Sequence, residues 1–107
     1  MNRFKADFRV SANHPSLRGH LPGQPIVPGV LLLDHVIEVA EQATGRLVTG
    51  VRDVKFILVL RPDEEAHVLC EVDSKQVSFG VSVQRDCATL KVATGKLLLQ
   101  ANDRASA

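Results

Sequence analysis

A histidine and an aspartate stand fourteen positions apart in the segment GHLPGQPIVPGVLLLD, residues 19–34. His20 precedes a stretch dense in proline and glycine, and Asp34 lies within the apolar run that follows. A neutral imidazole can act as a base near neutral pH, and a carboxyl group can act as an acid where desolvation raises its pKa. The two side chains could therefore perform general acid–base chemistry on one bound molecule.

The backbone between these two residues predicts how they are held. Three prolines and two glycines restrict or sharpen it: Pro22, Gly23, Pro25, Pro28 and Gly29. Because proline fixes φ, this loop is expected to keep one shape. Pro28 is predicted as an early helical residue and Gly45 as the stop of a helix of roughly sixteen residues. Gly29 then lies in the first turn, where free N–H groups and the helix dipole favour an anion.

Most of the remaining chain follows strand patterns. Apolar and charged residues alternate over residues 3–10, which predicts a strand with one buried face. Four further strands are predicted, at residues 47–60, 66–72, 76–84 and 88–100, with turns at residues 73–75 and 85–86. The helix is apolar nearly all round and needs covering on most sides. One such helix followed by an antiparallel meander predicts an α+β fold with the sheet curled around the helix.

Composition limits the class of protein. A chain of 107 residues fits one domain with a modest core. We expect residues 1–101 to form this domain and residues 102–107 to form a disordered polar tail. Because burial between subunits would add to a modest core, we also expect the protein to be an oligomer. The net charge of +1 is spread in alternating signs, and Trp and Tyr are absent, which argues against nucleic acid as a partner. The N-terminus lacks the continuous apolar run of a secretory signal, and no segment is long enough to span a membrane. We therefore expect a cytoplasmic protein with Cys70 and Cys87 as reduced thiols.

The segment GHLPGQPIVPGVLLLD resembles the active-site segment of the hot-dog-fold 3-hydroxyacyl-[acyl carrier protein] dehydratases. In that family a histidine in a GHFPG-like loop is followed fourteen positions later by Glu or Asp on the central helix, and His20 and Asp34 hold that spacing. Leu21 replaces the usual Phe. The downstream VRDVKFILVLRPDEEAHVLCEV is similar to the family's next segment, although its Pro-Gly-Asp turn reads Pro62-Asp63-Glu64 here. The resemblance covers residues 13–72 and is closest in style to compact dehydratases of aryl polyene or polyketide-type pathways.

This resemblance implies an antiparallel sheet wrapped around one long central helix, and dehydration of 3-hydroxyacyl thioesters to trans-2-enoyl thioesters. It implies His20 as the base, Asp34 as the acid and the Gly29 N–H as the group that polarises the thioester carbonyl. Glu38, one turn after Asp34, takes a position where the family commonly has Gln, close to the substrate. No metal or cofactor is implied, because the substrate is carried on the phosphopantetheine of acyl carrier protein. A homodimer is implied, with the His of one protomer facing the acid of the other.

Each of these residues also has a simpler interpretation. Asp34, Glu38 and Glu41 follow helical spacing and could form one solvated stripe. His20 could be a loop residue bonded to a carbonyl, and Gly29 a position of close packing. Three functions stay open: the dehydratase, a hot-dog thioesterase that releases free acid, and a noncatalytic acyl-binding subunit or partner of a second hot-dog chain. The histidines match no compact metal motif, so no metal site is predicted.

Two further groups of residues are candidates for binding. Five basic residues could meet an acidic carrier protein or its phosphate, or be scattered surface charge: Arg18, Arg46, Arg52, Lys55 and Arg61. Four apolar residues could line an acyl tunnel or belong to the core: Leu33, Ile37, Phe56 and Phe79.

Overall fold

A five-stranded antiparallel sheet and one helix form the fold in the computed structural model, which describes residues 2–11 and 26–101. In chain order the elements are β1 (Asn2–Phe8), α1 (Gly29–Thr44), β2 (Val48–Phe56), β3 (Ala66–Val72), β4 (Gln76–Arg85) and β5 (Ala88–Leu99). The strand order in the sheet is β1-β3-β4-β5-β2, so β1 and β2 form its two edges. The predicted loop that carries His20 and the predicted tail lie outside the described residues.

The core lies between one face of the sheet and one row of the helix. Alternate residues of β4 are buried, as the sequence pattern predicts: Val77, Phe79, Val81 and Val83. They join one core cluster with the helix row Leu32, Val36 and Ala40. Because these helix residues are four apart, they share one face of the helix. The predicted α+β fold, with one helix against an antiparallel sheet, is confirmed.

The helix is less enclosed than its composition predicts. Val30 is 74% exposed, and Asp34, Glu38 and Gln42 continue the same exposed row. Pro28 is the residue before the helix, with φ −60° and ψ 145°, rather than an early helical residue. The predicted stop is confirmed, because Gly45 has φ 70° and donates its N–H to the Glu41 carbonyl.

Strand β2 ends earlier than the predicted range 47–60. The N–H groups of Ile57 and Leu58 both donate to the Val92 carbonyl, at 2.8 and 3.1 Å, and the regular ladder stops there. The chain pairs again only at Leu60, in a single bridge to Val27. This departure from the ladder leaves residues 57–59 to line a groove.

Both predicted turns are present, but the second lies at residues 86–87 instead of the predicted 85–86, because Arg85 still pairs with Ala88. The second turn is strained. Asp73 Oδ1 accepts the N–H groups of Lys75 and Gln76, and these bonds lower the pKa of the Asp73 carboxyl. The turn between β4 and β5 has two central residues, Asp86 with φ 51° and Cys87 with φ 64°. Positive φ at both positions defines the type I′ hairpin turn, which prefers glycine at the second position.

We expect Cys87→Gly to raise the free energy of unfolding by about 1 kcal/mol, because glycine adopts the left-handed conformation without the Cβ strain. Cys87 is exposed, so its removal forfeits little packing. Urea denaturation followed by circular dichroism measures the change. The control is Ala88→Gly in the adjacent strand, which should destabilise the fold. A Cys87→Gly protein no more stable than the original would contradict the strain argument.

Candidate functional site

An apolar groove of about 450 Å³ opens at the N-terminal end of α1. Its walls are residues 26–30 and 56–60, completed by Leu32 and Val92. The lining side chains are aliphatic apart from Phe56, and none carries a charge. A groove of this shape and character suits an apolar chain.

Gly29 lies where the groove meets the helix. A Cβ atom at this position would come within 2.9 Å of Phe56 Cζ and 3.0 Å of Cε1, so the ring packs directly over the glycine backbone. Gly29 is therefore a position of close packing. The helical hydrogen bonds begin with the Leu32 N–H donating to the Pro28 carbonyl, and Pro28 provides no side-chain cap. The Gly29 N–H precedes this first bond, at the positive end of the helix dipole.

The chain on both sides of the segment that contains His20 is bonded to residues 60–63, which continue from the groove wall. The Val10 carbonyl accepts the Asp63 N–H at 2.7 Å, and the Val27 N–H donates to the Leu60 carbonyl at 2.9 Å. Val10 and Val27 flank the segment on its two sides, and both are buried. The turn region at residues 60–63 thus fixes where the chain leaves and where it returns. His20 itself lies outside the described residues.

Asp34 and Glu38 lie on the exposed row of α1 and do not line the groove. Asp34 follows Val30 by one helical turn, and Val30 does line it. Glu38 Oε1 accepts a hydrogen bond from Gln42 at 3.4 Å. The desolvation expected for Asp34 is therefore not provided by the described residues of one chain. Glu41 departs from the predicted stripe, because it is partly buried and accepts the Val48 N–H at 2.9 Å.

An ion pair between Arg85 and Glu64, which the sequence analysis did not predict, stabilises the groove wall that contains Val59. Arg85 binds both carboxylate oxygens of Glu64, each at 2.6 Å, and Glu64 also accepts the Arg61 N–H at 2.8 Å. Arg85 also donates to the Val59 carbonyl at 2.7 Å. The Arg85 hydrogen bond is the main cause of a lowered pKa at Glu64, against the opposing effect of desolvation. The pair ties residues 59–64 to the β4–β5 hairpin.

The turn at residues 61–64 keeps a tight geometry without the family's glycine. Asp63 has φ 65°, so it adopts the left-handed conformation at the position where the family has Gly. The Glu64 N–H closes the turn on the Arg61 carbonyl at 3.3 Å, and Arg9 donates to the Asp63 carbonyl at 2.8 Å. Aspartate tolerates this conformation better than most residues.

Only one of the four candidate tunnel residues lines the groove. Phe56 does so, and its side chain is 54% exposed. Leu33 and Ile37 are partly buried against the core, and Phe79 is a buried core residue. Of these four residues, Phe56 is therefore a groove residue, and the other three belong to the core or pack against it.

The candidate docking cations differ in their surroundings. Arg46 donates twice to the Gln100 carbonyl, at 2.6 and 3.1 Å, and so secures the end of β5. Arg52, Lys55 and Arg61 are exposed. Arg18 lies outside the described residues. The exposed three remain available for a partner.

Other titratable groups lie away from the groove. Both cysteines are free, and burial raises the pKa of the Cys70 thiol to about 11, which keeps it protonated. Asp7, Glu65 and His67 bring three ligand atoms within 4.8 Å. A 2.7 Å contact between His67 Nδ1 and Asp7 accounts for that cluster, and Arg9 lies 3.5 Å from Glu65, so we assign no metal to it.

None of the helices in the described part of the chain is long and apolar enough to cross a membrane. The His35 ring stacks on Phe8 with ring centroids 4.6 Å apart. This contact holds the helix against β1.

One helix packed on a five-stranded antiparallel sheet, with an apolar groove at the helix N-terminus, is the arrangement of a hot-dog fold. An uncharacterized protein from Erwinia carotovora superposes with a TM-score of 0.79 at 22% identity, covering 92% of this chain and 83% of the other. ApeI:P, a dehydratase heterocomplex from Xenorhabdus doucetiae, superposes with a TM-score of 0.75 at 24% identity, and the match covers 91% of this chain and 86% of the other. An acyl-CoA hydrolase of Staphylococcus aureus superposes with a TM-score of 0.73 at 14% identity, and the match covers 96% of this chain and 66% of the other. These similarities establish the fold.

The sequence places the chain within that fold. Residues 1–96 match the family of ApeI-like dehydratases, and the chain belongs to this family. The 3-hydroxyacyl-[acyl-carrier-protein] dehydratase FabZ of Chloroflexus aggregans is 33% identical over 90 residues, which are 76% of this chain and 61% of that protein. FabZ of Thermoanaerobacter sp. is 35% identical over 74 residues, 61% of this chain and 52% of that protein. The chain thus spans about half to three fifths of these relatives, and the resemblance to hot-dog dehydratases is confirmed.

Proposed function

We propose that this protein removes water from 3-hydroxyacyl thioesters carried on acyl carrier protein and forms trans-2-enoyl thioesters. One observation carries the proposal: an apolar groove reaches the helix N-terminus at Gly29, and the chain on both sides of the segment that contains His20 is bonded to residues 60–63, where the groove wall ends. The groove would hold the acyl chain, and the Gly29 N–H would bind the thioester oxygen. Membership in a dehydratase family supports the reaction class.

The elimination uses two proton transfers. His20 takes a proton from C2, and the electron pair of that C–H bond becomes the C2=C3 double bond as the C3–O bond breaks. Asp34 donates a proton to the departing hydroxyl, which leaves as water. The Gly29 N–H stabilises the negative charge that develops on the thioester oxygen. Substrate and product differ only by water, so the mechanism requires no redox cofactor.

The active form is proposed to be a homodimer, because Asp34 needs burial that the described residues of one chain do not give it. Strand β2 is an edge of the sheet, and two exposed apolar side chains lie there outside the groove: Leu47, just before the strand, and Val51 within it. A second copy paired there would cover apolar surface and an open strand edge. A heterodimer with another hot-dog chain is the alternative, which the ApeI:P heterocomplex illustrates for that protein. Analytical ultracentrifugation of the purified chain distinguishes the two.

The remaining assignments belong to the same proposal. Glu38 would face the substrate one helical turn after Asp34. Arg52, Lys55 and Arg61 would meet the acidic carrier protein near the groove. The free thiols fit a reducing compartment, so we propose the cytoplasm as the site of the reaction. We also propose that residues 1–101 form the single domain that carries it out.

The test is mass spectrometry of a 3-hydroxyacyl thioester on acyl carrier protein after incubation with the full chain. Loss of one water from the carrier-bound acyl group supports the proposal. Release of free acid would instead identify a thioesterase. Substrate that binds and protects the protein without reacting would favour a noncatalytic subunit. The Leu69→Ala protein, purified and assayed in the same way, is the control and should keep the activity of the original protein, since Leu69 lies outside the groove.

A further inference from the structure

The space beside Gly29 is filled by a single rigid ring. Three atoms of the Phe56 ring lie 2.9, 3.0 and 3.1 Å from where a Gly29 Cβ would stand. Real Cβ atoms essentially never approach another atom as closely as 2.9 Å, so the ring would have to shift to admit one added methyl group. Phe56 is the last residue of β2, and residues 57–60 continue from it along the groove wall.

The ring also lies next to the reacting carbons in the proposed complex. A thioester oxygen bonded to the Gly29 N–H would sit about 2.9 Å from the nitrogen, which places C1 and C2 within a few bond lengths of the glycine backbone. The Phe56 ring packs over that same backbone. A substituent on C2 therefore competes with the ring for space, whereas a longer acyl chain extends along the groove.

We propose that Phe56 is a specificity-determining residue that selects 3-hydroxyacyl thioesters without a branch at C2 and disfavours those with a 2-methyl group. This inference rests on the proposed dehydration. The ring can move aside only as a rigid unit, and its movement would expose the apolar groove surface that it now covers. That cost applies to the branched substrate alone.

The test compares 3-hydroxybutyryl and 2-methyl-3-hydroxybutyryl pantetheine thioesters, the latter as both C2 epimers, with the full chain. We expect the unbranched substrate to be preferred by at least about tenfold in kcat/KM, the usual discrimination for one methyl group in an apolar pocket. Phe56→Ala should lower the ratio of kcat/KM for the unbranched substrate to kcat/KM for the 2-methyl substrate about tenfold, and Phe56→Leu should lower this ratio less. Leu69→Ala, which removes an exposed apolar side chain from β3, should leave it unchanged.

The outcomes separate this inference from the proposed function. Turnover of the unbranched substrate with the same ratio in the original, Phe56→Ala and Phe56→Leu proteins would overturn the specificity assignment and leave dehydration standing. Absence of water loss from any substrate would overturn both. If Phe56→Ala fails to fold by circular dichroism, the Phe56→Leu ratio decides: a lowered ratio supports the assignment and an unchanged one rejects it.

Discussion

His20→Ala is expected to lower the rate of dehydration by about a thousandfold, since a positioned general base contributes roughly two to four orders of magnitude. Asp34→Asn should cause a loss of similar size, because an amide cannot supply the proton that the departing hydroxyl needs. The rate of water loss, followed by mass spectrometry at saturating substrate, measures both effects. Circular dichroism should show an unchanged fold, because Asp34 lies on the exposed row of α1.

Matched controls separate these effects from general damage. His67→Ala removes a strand histidine that contacts the carboxylates of Asp7 and Glu65, both outside the groove. Asp86→Asn changes an exposed carboxylate in the β4–β5 turn. Both controls should retain activity. Full activity in His20→Ala would reject the proposed base.

Mixing the two inactive proteins tests whether the site is shared between subunits. If His20 of one protomer acts with Asp34 of the other, dimers that combine the variants hold one intact site. Random exchange of subunits should then restore about a quarter of the original activity. No recovery after verified subunit exchange would place both residues of a site on one chain.

Glu64→Ala is expected to lower the free energy of unfolding by about 2 to 3 kcal/mol, the largest stability effect that we anticipate. The substitution removes both bonds to Arg85 and the bond from the Arg61 N–H. The side chains of Glu64 and Arg85 are only 19% and 16% exposed, so water replaces these bonds poorly. Urea denaturation at one protein concentration measures the loss, and a change below about 0.5 kcal/mol would contradict it.

The neighbouring Glu65→Ala is the matched control. Glu65 pairs with Arg9 at 3.5 Å, and both side chains are about half exposed, so the loss of this pair should lower the free energy of unfolding by about 0.5 kcal/mol or less.

The effect of Glu64→Ala on stability should also depend on pH. Because the folded pKa of Glu64 lies below its ordinary value of 4.5, its stabilisation is complete above pH 4.5 and is lost as the pH falls through the folded value. The difference between the original protein and Glu64→Ala should shrink accordingly in acid.

Much of the fold could be predicted because the local patterns are strong. The alternation along β4 and the glycine after α1 each act within a few residues, and the structure confirms both. The end of β2 could not be predicted, because residues 56–60 are all apolar and carry no alternation that marks where pairing stops. The strand ends where the N–H groups of Ile57 and Leu58 both donate to the Val92 carbonyl, and Val92 lies more than thirty residues further along the chain.

For the candidate site, the sequence by itself determined the chemistry available: a histidine and an aspartate at a spacing typical of one family, with Gly29 at the start of an apolar helix. Side-chain types and short spacings are local properties, so they can be read without a fold. Only the tertiary structure decided that Phe56 packs over Gly29, that Glu64 binds Arg85, and that Asp34 is exposed in one chain. Those contacts join residues distant in sequence, and they form because folding the sheet onto the helix brings their surfaces together.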